Sequence, residues 1–207
     1  AGGADDFRLK YISAGVMTSP ALALEQAQKE AQQFAGILNR MHADVDELLF
    51  DSKASRSKLL KRIAAAEEAT DQLEIEISDY LVRVSENTNL EHDLTERIRF
   101  LQTMINDMER IADIYFQISK LSERLHEARS HWPDDARADM VQMMEALRAA
   151  VENMQQSASM EPSKVSLERA IELENRIDEL RDSFRDTHFA RLENGDYSPR
   201  AGVIFID

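Results

Sequence analysis

No cysteine occurs anywhere in the 207 residues. Disulfides and thiolate metal ligands are therefore excluded, and the chain suits a reducing compartment. Proline and glycine are scarce, at four and six residues, and several of them lie toward the two ends. The long stretches between are rich in Ala, Glu, Leu, Gln and Arg, an all-helical composition. No apolar run reaches the roughly 20 residues that a membrane-spanning helix needs, and no signal-peptide pattern opens the chain. Positive charge is outnumbered, with 25 Lys and Arg against 39 Asp and Glu, for a formal net charge of −14. Such a surface repels nucleic acid and anionic lipid, so neither is expected as a direct partner, whereas it attracts cations. Phosphate-cradling glycine loops, nucleophile motifs and dinucleotide signatures are also missing. No catalytic residue is expected, and the chain does not read as an enzyme.

What the chain has is apolar periodicity in steps of three and four. Ser19-Pro20 offers a capping hydroxyl and a proline at the first turn, where no backbone donor is lost. The first helix is expected from there to about Phe50, with Leu24, Ala27, Ala31, Phe34, Ile37 or Leu38, Met41, Val45 and Leu48 as one buried stripe. A second helix, about Ser55 to Glu86, has its seam at Leu59, Ile63, Ala66, Thr70, Leu73, Ile77 and Val84. After the turn Asn87-Thr88-Asn89 a third runs to about Ala128, with Thr88 and Glu91 spaced as a capping box. Its seam is Leu94, Ile98, Leu101, Ile105, Met108, Ala112, Tyr115 and Ile118. Three long amphipathic helices with short connections predict an up-down-up bundle.

The pattern restarts after His131-Trp132-Pro133. A fourth helix is expected over about Asp134 to Gln156 (Met140, Met144, Leu147, Val151, Met154) and a fifth over about Val165 to Glu193, with Leu167, Ile171, Ile177, Leu180 and Phe184 inward. Gly195 to Pro199 reads as a turn, and Val203-Ile204-Phe205-Ile206 as the opening of a sixth helix that the chain does not complete. The expected organisation is a lead-in at residues 1–18, a first three-helix bundle at 19–130, and a second, truncated bundle at 131–207. Unpartnered apolar stripes on the fourth and fifth helices predict self-association.

Glu109 and Asp113 are four residues apart, one above the other on a helix face, about 6 Å apart at Cβ. Glu67 and Asp71 form a second such pair on the preceding helix, followed by Glu74. Folding the two helices back through the Asn-rich turn brings the pairs to one level, about 30 Å from the turn. Around Glu67, Asp71 and Glu109 the positions three and four residues away hold no Lys or Arg, and Asp113 has only Arg110. Two readings remain open from the residues alone, a cation site and a solvated acidic face. Oxygen-only ligands suit hard cations such as magnesium, calcium, manganese or iron. Glu174 and Asp178 occupy the corresponding place on the fifth helix, where Arg181 accompanies Asp178, and their facing pair would lie beyond Asp207.

Other chemistry is less well supplied. A ferritin-like di-iron site needs Glu-x-x-His on two helices; Glu123-Arg124-Leu125-His126 is a single instance near a helix end. His42, His92, His131 and His188 are scattered and are expected at the surface or at caps. Met104, Met108, Met140, Met144 and Met154 fall at helical spacing, which predicts core filling rather than a soft partner-binding groove.

With these residues in hand, the chain resembles the PhoU family of phosphate-uptake regulators over about residues 20 to 207. Glu109-Arg110-Ile111-Ala112-Asp113 looks like its most characteristic segment, and Glu67 to Asp71 and Glu174 to Asp178 are similar to two other motif copies. The stretch Leu9-Lys10-Tyr11-Ile12 through Ser19-Pro20-Ala21-Leu22-Ala23-Leu24-Glu25 looks like the junction joining such a domain to a bacterial sodium/phosphate cotransporter. The resemblance implies two three-helix bundles, the second lacking its last helix, and a cytoplasmic regulatory domain attached to a transporter in the inner membrane. It implies metal binding through Glu67, Asp71, Glu74, Glu109, Asp113, Glu174 and Asp178, with iron, zinc, magnesium or manganese as the ion. The contrasting expectation is a structural helical adaptor with no metal site.

Overall fold

A computed structural model describes residues 9–12, 19–51, 53–86, 91–128 and 134–195. The protein is all-α. Its helices are α1 (Pro20–Phe50), α2 (Arg56–Ser85), α3 (His92–Glu127), α4 (Asp134–Ala158) and α5 (Leu167–Asn194), with a 3-10 turn at Pro162–Lys164. Every boundary falls within about two residues of its expected place, because the breaks are set by local polar clusters.

The caps differ from expectation. Ser19 is extended ahead of Pro20, yet its hydroxyl makes no capping bond; its carbonyl accepts the Ala23 N–H at 2.9 Å. The proline's fixed φ and that carbonyl set the start of α1. Glu91 is itself the extended residue before α3 and its carbonyl takes the N–H groups of Leu94 and Thr95, so it does not serve as the third helical residue of a capping box. Thr88, the Asn-rich turn, His131-Trp132-Pro133 and the expected opening of a sixth helix lie outside the described residues. Gly195 ends α5 at φ 76°, a left-handed conformation that a Cβ would strain.

Helix α1 is central, packing against α2, α3 and α4, while α2 also packs on α3 and α4 on α5. Its apolar stripe is accordingly wider than one face. Both Ile37 and Leu38 are fully buried, as are Leu24 and Phe34, and Ala23, Ala27, Ala31 and Ala35 form a row of small residues between them. From α2 the cluster takes Ile63, Leu73, Ile77 and Leu81; from α3, Leu101, Ile105, Met108 and Tyr115. Met144, Val151 and Ala158 carry α4 into the same cluster. The ends of α4 are pinned to α1: Arg137 donates to the Phe50 carbonyl at 2.8 Å, and Gln28 donates to the carbonyls of Ala158 and Met160.

The α5 seam is corrected. Leu167 and Ile171, expected inward, are exposed, while Leu173 and Leu180 are the apolar residues buried there. Helix α5 packs on α4, and Arg191 ties the two by ion pairs. Its guanidinium, largely buried, lies 2.8 Å from both Asp135 and Asp139.

Two histidine expectations are also corrected. His42 and His188 are buried. His42 falls between Leu38 and Val45 on the α1 stripe, and its Nδ1 lies 3.0 Å from the Tyr115 hydroxyl, which satisfies a ring nitrogen inside the core. Burial holds its pKa below the ordinary value, against the raising effect of Asp46. His188 lies one turn before Arg191 on the face of α5 that meets α4. The methionine expectation fits for Met104, Met108 and Met144, which are buried; Met140 and Met154 pack against the core from its edge.

Candidate metal centre

Ala66, Thr70 and Leu73 turn one face of α2 into the core, and Met108, Ala112 and Tyr115 do the same for α3. Residues one step around each helix are left at the lip between them. Glu67 and Asp71 therefore come to the edge of α2, and Glu109 and Asp113 to the edge of α3. The hydroxyl of Thr70 is spent within its own helix, donating to the Glu67 carbonyl at 2.8 Å.

Carboxylate oxygens of Glu67, Asp71 and Asp113 all lie within 4.8 Å of one another. Glu67 and Asp113 are half-buried and Asp71 is exposed. No ion pair joins Glu67, Asp71, Glu109 or Asp113 to a Lys or Arg among the described residues. The electrostatics record that lack of compensation. Partial burial raises the pKa of Glu67, and the neighbouring Asp71 and Asp113 raise it further. Asp71 is raised by burial and then by Asp113 and Glu68. Glu109 is raised by burial, then by Asp113, Asp71 and Glu74, and by a hydrogen bond to Asp113 that favours its protonated form. The four acids thus act on one another across the α2–α3 seam, which is the convergence expected from the antiparallel fold-back.

The donor set fits a hard cation. Two oxygens bound to one ion at about 2.0–2.5 Å lie no more than about 4–5 Å apart, which matches the separation of these three carboxylates. All the donors are oxygens, with no imidazole among them, a set suited to magnesium, manganese or iron more than to softer ions.

Glu74, one turn from Asp71, takes a different part. Gln102 of α3 donates to the Ser78 hydroxyl at 2.6 Å, and Ser78 donates to Glu74 at 3.2 Å, so a polar relay ties α3 to α2 beside the cluster. Glu174 and Asp178 are not brought to it. Asp178 pairs with Arg181 at 2.7 Å, Glu174 is exposed, and both border an apolar groove of about 600 Å³ between α3, α4 and α5. Met104, Ile111, Ile114, Leu147 and Met154 line its floor. Glu123 pairs with Lys120 and His126 is exposed, a surface arrangement.

One residue escaped the sequence reading. Glu30 is 1% exposed, and its Oε1 accepts the backbone N–H groups of Lys10 at 2.7 Å, Ile12 at 3.1 Å and Tyr11. Its partners lie 18 to 20 residues away in irregular backbone, so no spacing could have announced it. The only signal was an acid flanked by the buried row Ala27 and Ala31.

Residues 31–122 match the family model described as PhoU domain. The matched stretch, somewhat under half of the chain, begins in α1, contains all of α2 and the acidic cluster, and ends in α3. No curated protein and no solved structure matches the chain.

Proposed function

We propose that this chain is a regulatory domain of phosphate homeostasis whose first three helices bind a divalent or ferric cation through Glu67, Asp71 and Asp113, with Glu109 beside them. The observation that carries the reading is the meeting of three uncompensated carboxylates from two helices inside the PhoU-like stretch. The ion offsets their mutual repulsion and braces α2 against α3. The domain acts from the cytoplasm on the membrane domain of a sodium-dependent phosphate transporter, whose junction the lead-in resembles. No described helix is long and apolar enough to cross a membrane, so on this reading the transporter's spans belong to other sequence.

The test is the metal content of protein purified without chelator or nickel resin, beside an Asp71→Asn, Asp113→Asn variant of unchanged helicity. Stoichiometric metal that vanishes in the variant supports the site; equal metal in both sinks the assignment.

The apolar groove between α3, α4 and α5 favours a second reading, a helical interaction domain that meets protein partners or another copy of itself. Chelator then leaves melting temperature and partner binding unchanged, and light scattering at micromolar concentration finds an oligomer rather than a monomer.

A further inference from the structure

The lead-in and residues 29–40 of α1 flank a pocket of about 380 Å³. Lys10, Lys29 and Arg40 line it, and no carboxylate does among the described residues. In a chain where acids outnumber bases 39 to 25, three neighbouring cations should readily find acidic partners. None of the three holds an ion pair among the described residues. Asp44, one turn beyond Arg40, is bound by Arg62 instead. Glu30, next to Lys29 in sequence, spends its charge on the lead-in backbone.

Two features build this concavity. Lys29, Gly36 and Arg40 recur at helical spacing on one face of α1, and a Cβ at Gly36 would stand 3.8 Å from Arg40 Nη1. That distance is ordinary van der Waals contact, and it places the guanidinium back along the helix over Gly36. On the other wall, Lys10 is not on a free tail. Its own N–H and those of the next two residues close on the buried Glu30, and Leu9 and Ile12 pack against the core.

We propose that this pocket binds a phosphate-type oxyanion between the lead-in and α1. A guanidinium presents paired donors matched to the oxygens of such a group, and ammonium groups add point charge. Three donated N–H bonds converge on Oε1 of the neighbouring Glu30, though its Oε2 finds no partner among the described residues, so that charge is partly offset and opposes the ligand less than a bare carboxylate would. An anion bridging Lys10 to Lys29 and Arg40 holds the lead-in down, so lead-in docking and anion binding strengthen each other by the same factor. The site uses no residue of the acidic cluster and does not depend on metal.

Inorganic phosphate is titrated into the full chain, with ionic strength held constant by chloride, while amide exchange is followed over residues 9–12 and 29–40. Saturable protection of residues 10–12 is expected. Lys29→Ala with Arg40→Ala, both exposed positions, weakens it about tenfold or more, and Lys10→Ala weakens it with the Glu30 bonds retained. An unsaturable response, one that chloride reproduces, or one undiminished in these variants overturns the site. Vesicles carrying a phosphomonoester headgroup, run in parallel, separate the two sources of this chemistry. Co-sedimentation lost in the same variants assigns the site to a lipid headgroup, and saturation by free phosphate alone assigns it to the anion in solution.

Discussion

Helix α1 buries fourteen of its 31 residues and α5 only four of its 28. All of the fourteen but Glu30, His42 and Asp44 are apolar, and α1 meets α2, α3 and α4 on different sides. Two of the four are His188 and Arg191, and Arg191 pairs with Asp135 and Asp139 of α4. The first three helices are thus held by interdigitated Leu, Ile, Phe and Ala, a non-directional force proportional to area. Helix α4 joins that apolar core through Met144, Val151 and Ala158, and α5, which packs on α4, adds a charged clasp whose worth depends on its degree of burial and on salt. The acidic cluster stands on the better-packed side of this divide, where rigid neighbours hold its carboxylates close despite their repulsion.

The comparison can be broken most forcefully in the core. Ile77→Ala, at a fully buried position, is expected to cost about 2–5 kcal/mol, while Leu167→Ala, 68% exposed, stays within about 0.5 kcal/mol. Urea unfolding of the two variants measures both, and equal losses would mean that α5 is packed as α2 is. Next comes the cation. Manganese at one hundred times its dissociation constant stabilises by about 2.7 kcal/mol, Asp71→Asn with Asp113→Asn removes the effect, and exchange in α5 stays as it was. Protection spread evenly over all five helices would contradict a brace confined to α2 and α3. Arg191→Met follows, at roughly 2 kcal/mol, less than a fully buried pair because Asp135 is exposed. Its signature is faster exchange of α5 amides with α1–α3 unchanged.

The smallest effect is that of pH. Glu67, Asp71 and Glu109 have folded pKa values above their ordinary ones. The metal-free fold therefore binds protons more tightly than the unfolded chain, and these groups favour it at acid pH and lose that contribution as pH rises through their raised values. Metal-free protein gains stability from them as pH falls from neutrality toward the carboxylate range, and with cation bound the trend reverses, because protons displace the ion. Asp71→Asn should flatten both slopes in thermal melts. Slopes that survive the substitution would place the titration elsewhere.

The α2–α3 half of this comparison was readable from spacing, because a helical hairpin converts sequence distance into height and the turn fixes the zero. That arithmetic placed Glu67 and Asp71 opposite Asp113 with no knowledge of packing. For Glu174 and Asp178 the same arithmetic puts the facing level outside the described residues; where they stand they border a groove, and spacing says which face a residue shares, not what stands opposite. Leu167 and Ile171 misled for a related reason, being periodic residues on a helix whose main neighbour is α4. His42 lay on the α1 stripe, and its burial was masked by the rule that imidazoles favour surfaces; only Tyr115, 73 positions away, makes burial tolerable. Glu30 depended on irregular backbone that no periodicity describes.

The three bonds from the lead-in to Glu30 also set the route by which mechanical load enters the molecule. Tension on the segment before Leu9 does not peel α1 from its first turn at Pro20. It arrives at Glu30, about 15 Å along the helix at 1.5 Å per residue, where Ala27, Ala31 and Phe34 are locked against their neighbours. Three bonds that converge on one carboxylate oxygen share that load, within the helix rather than at its end.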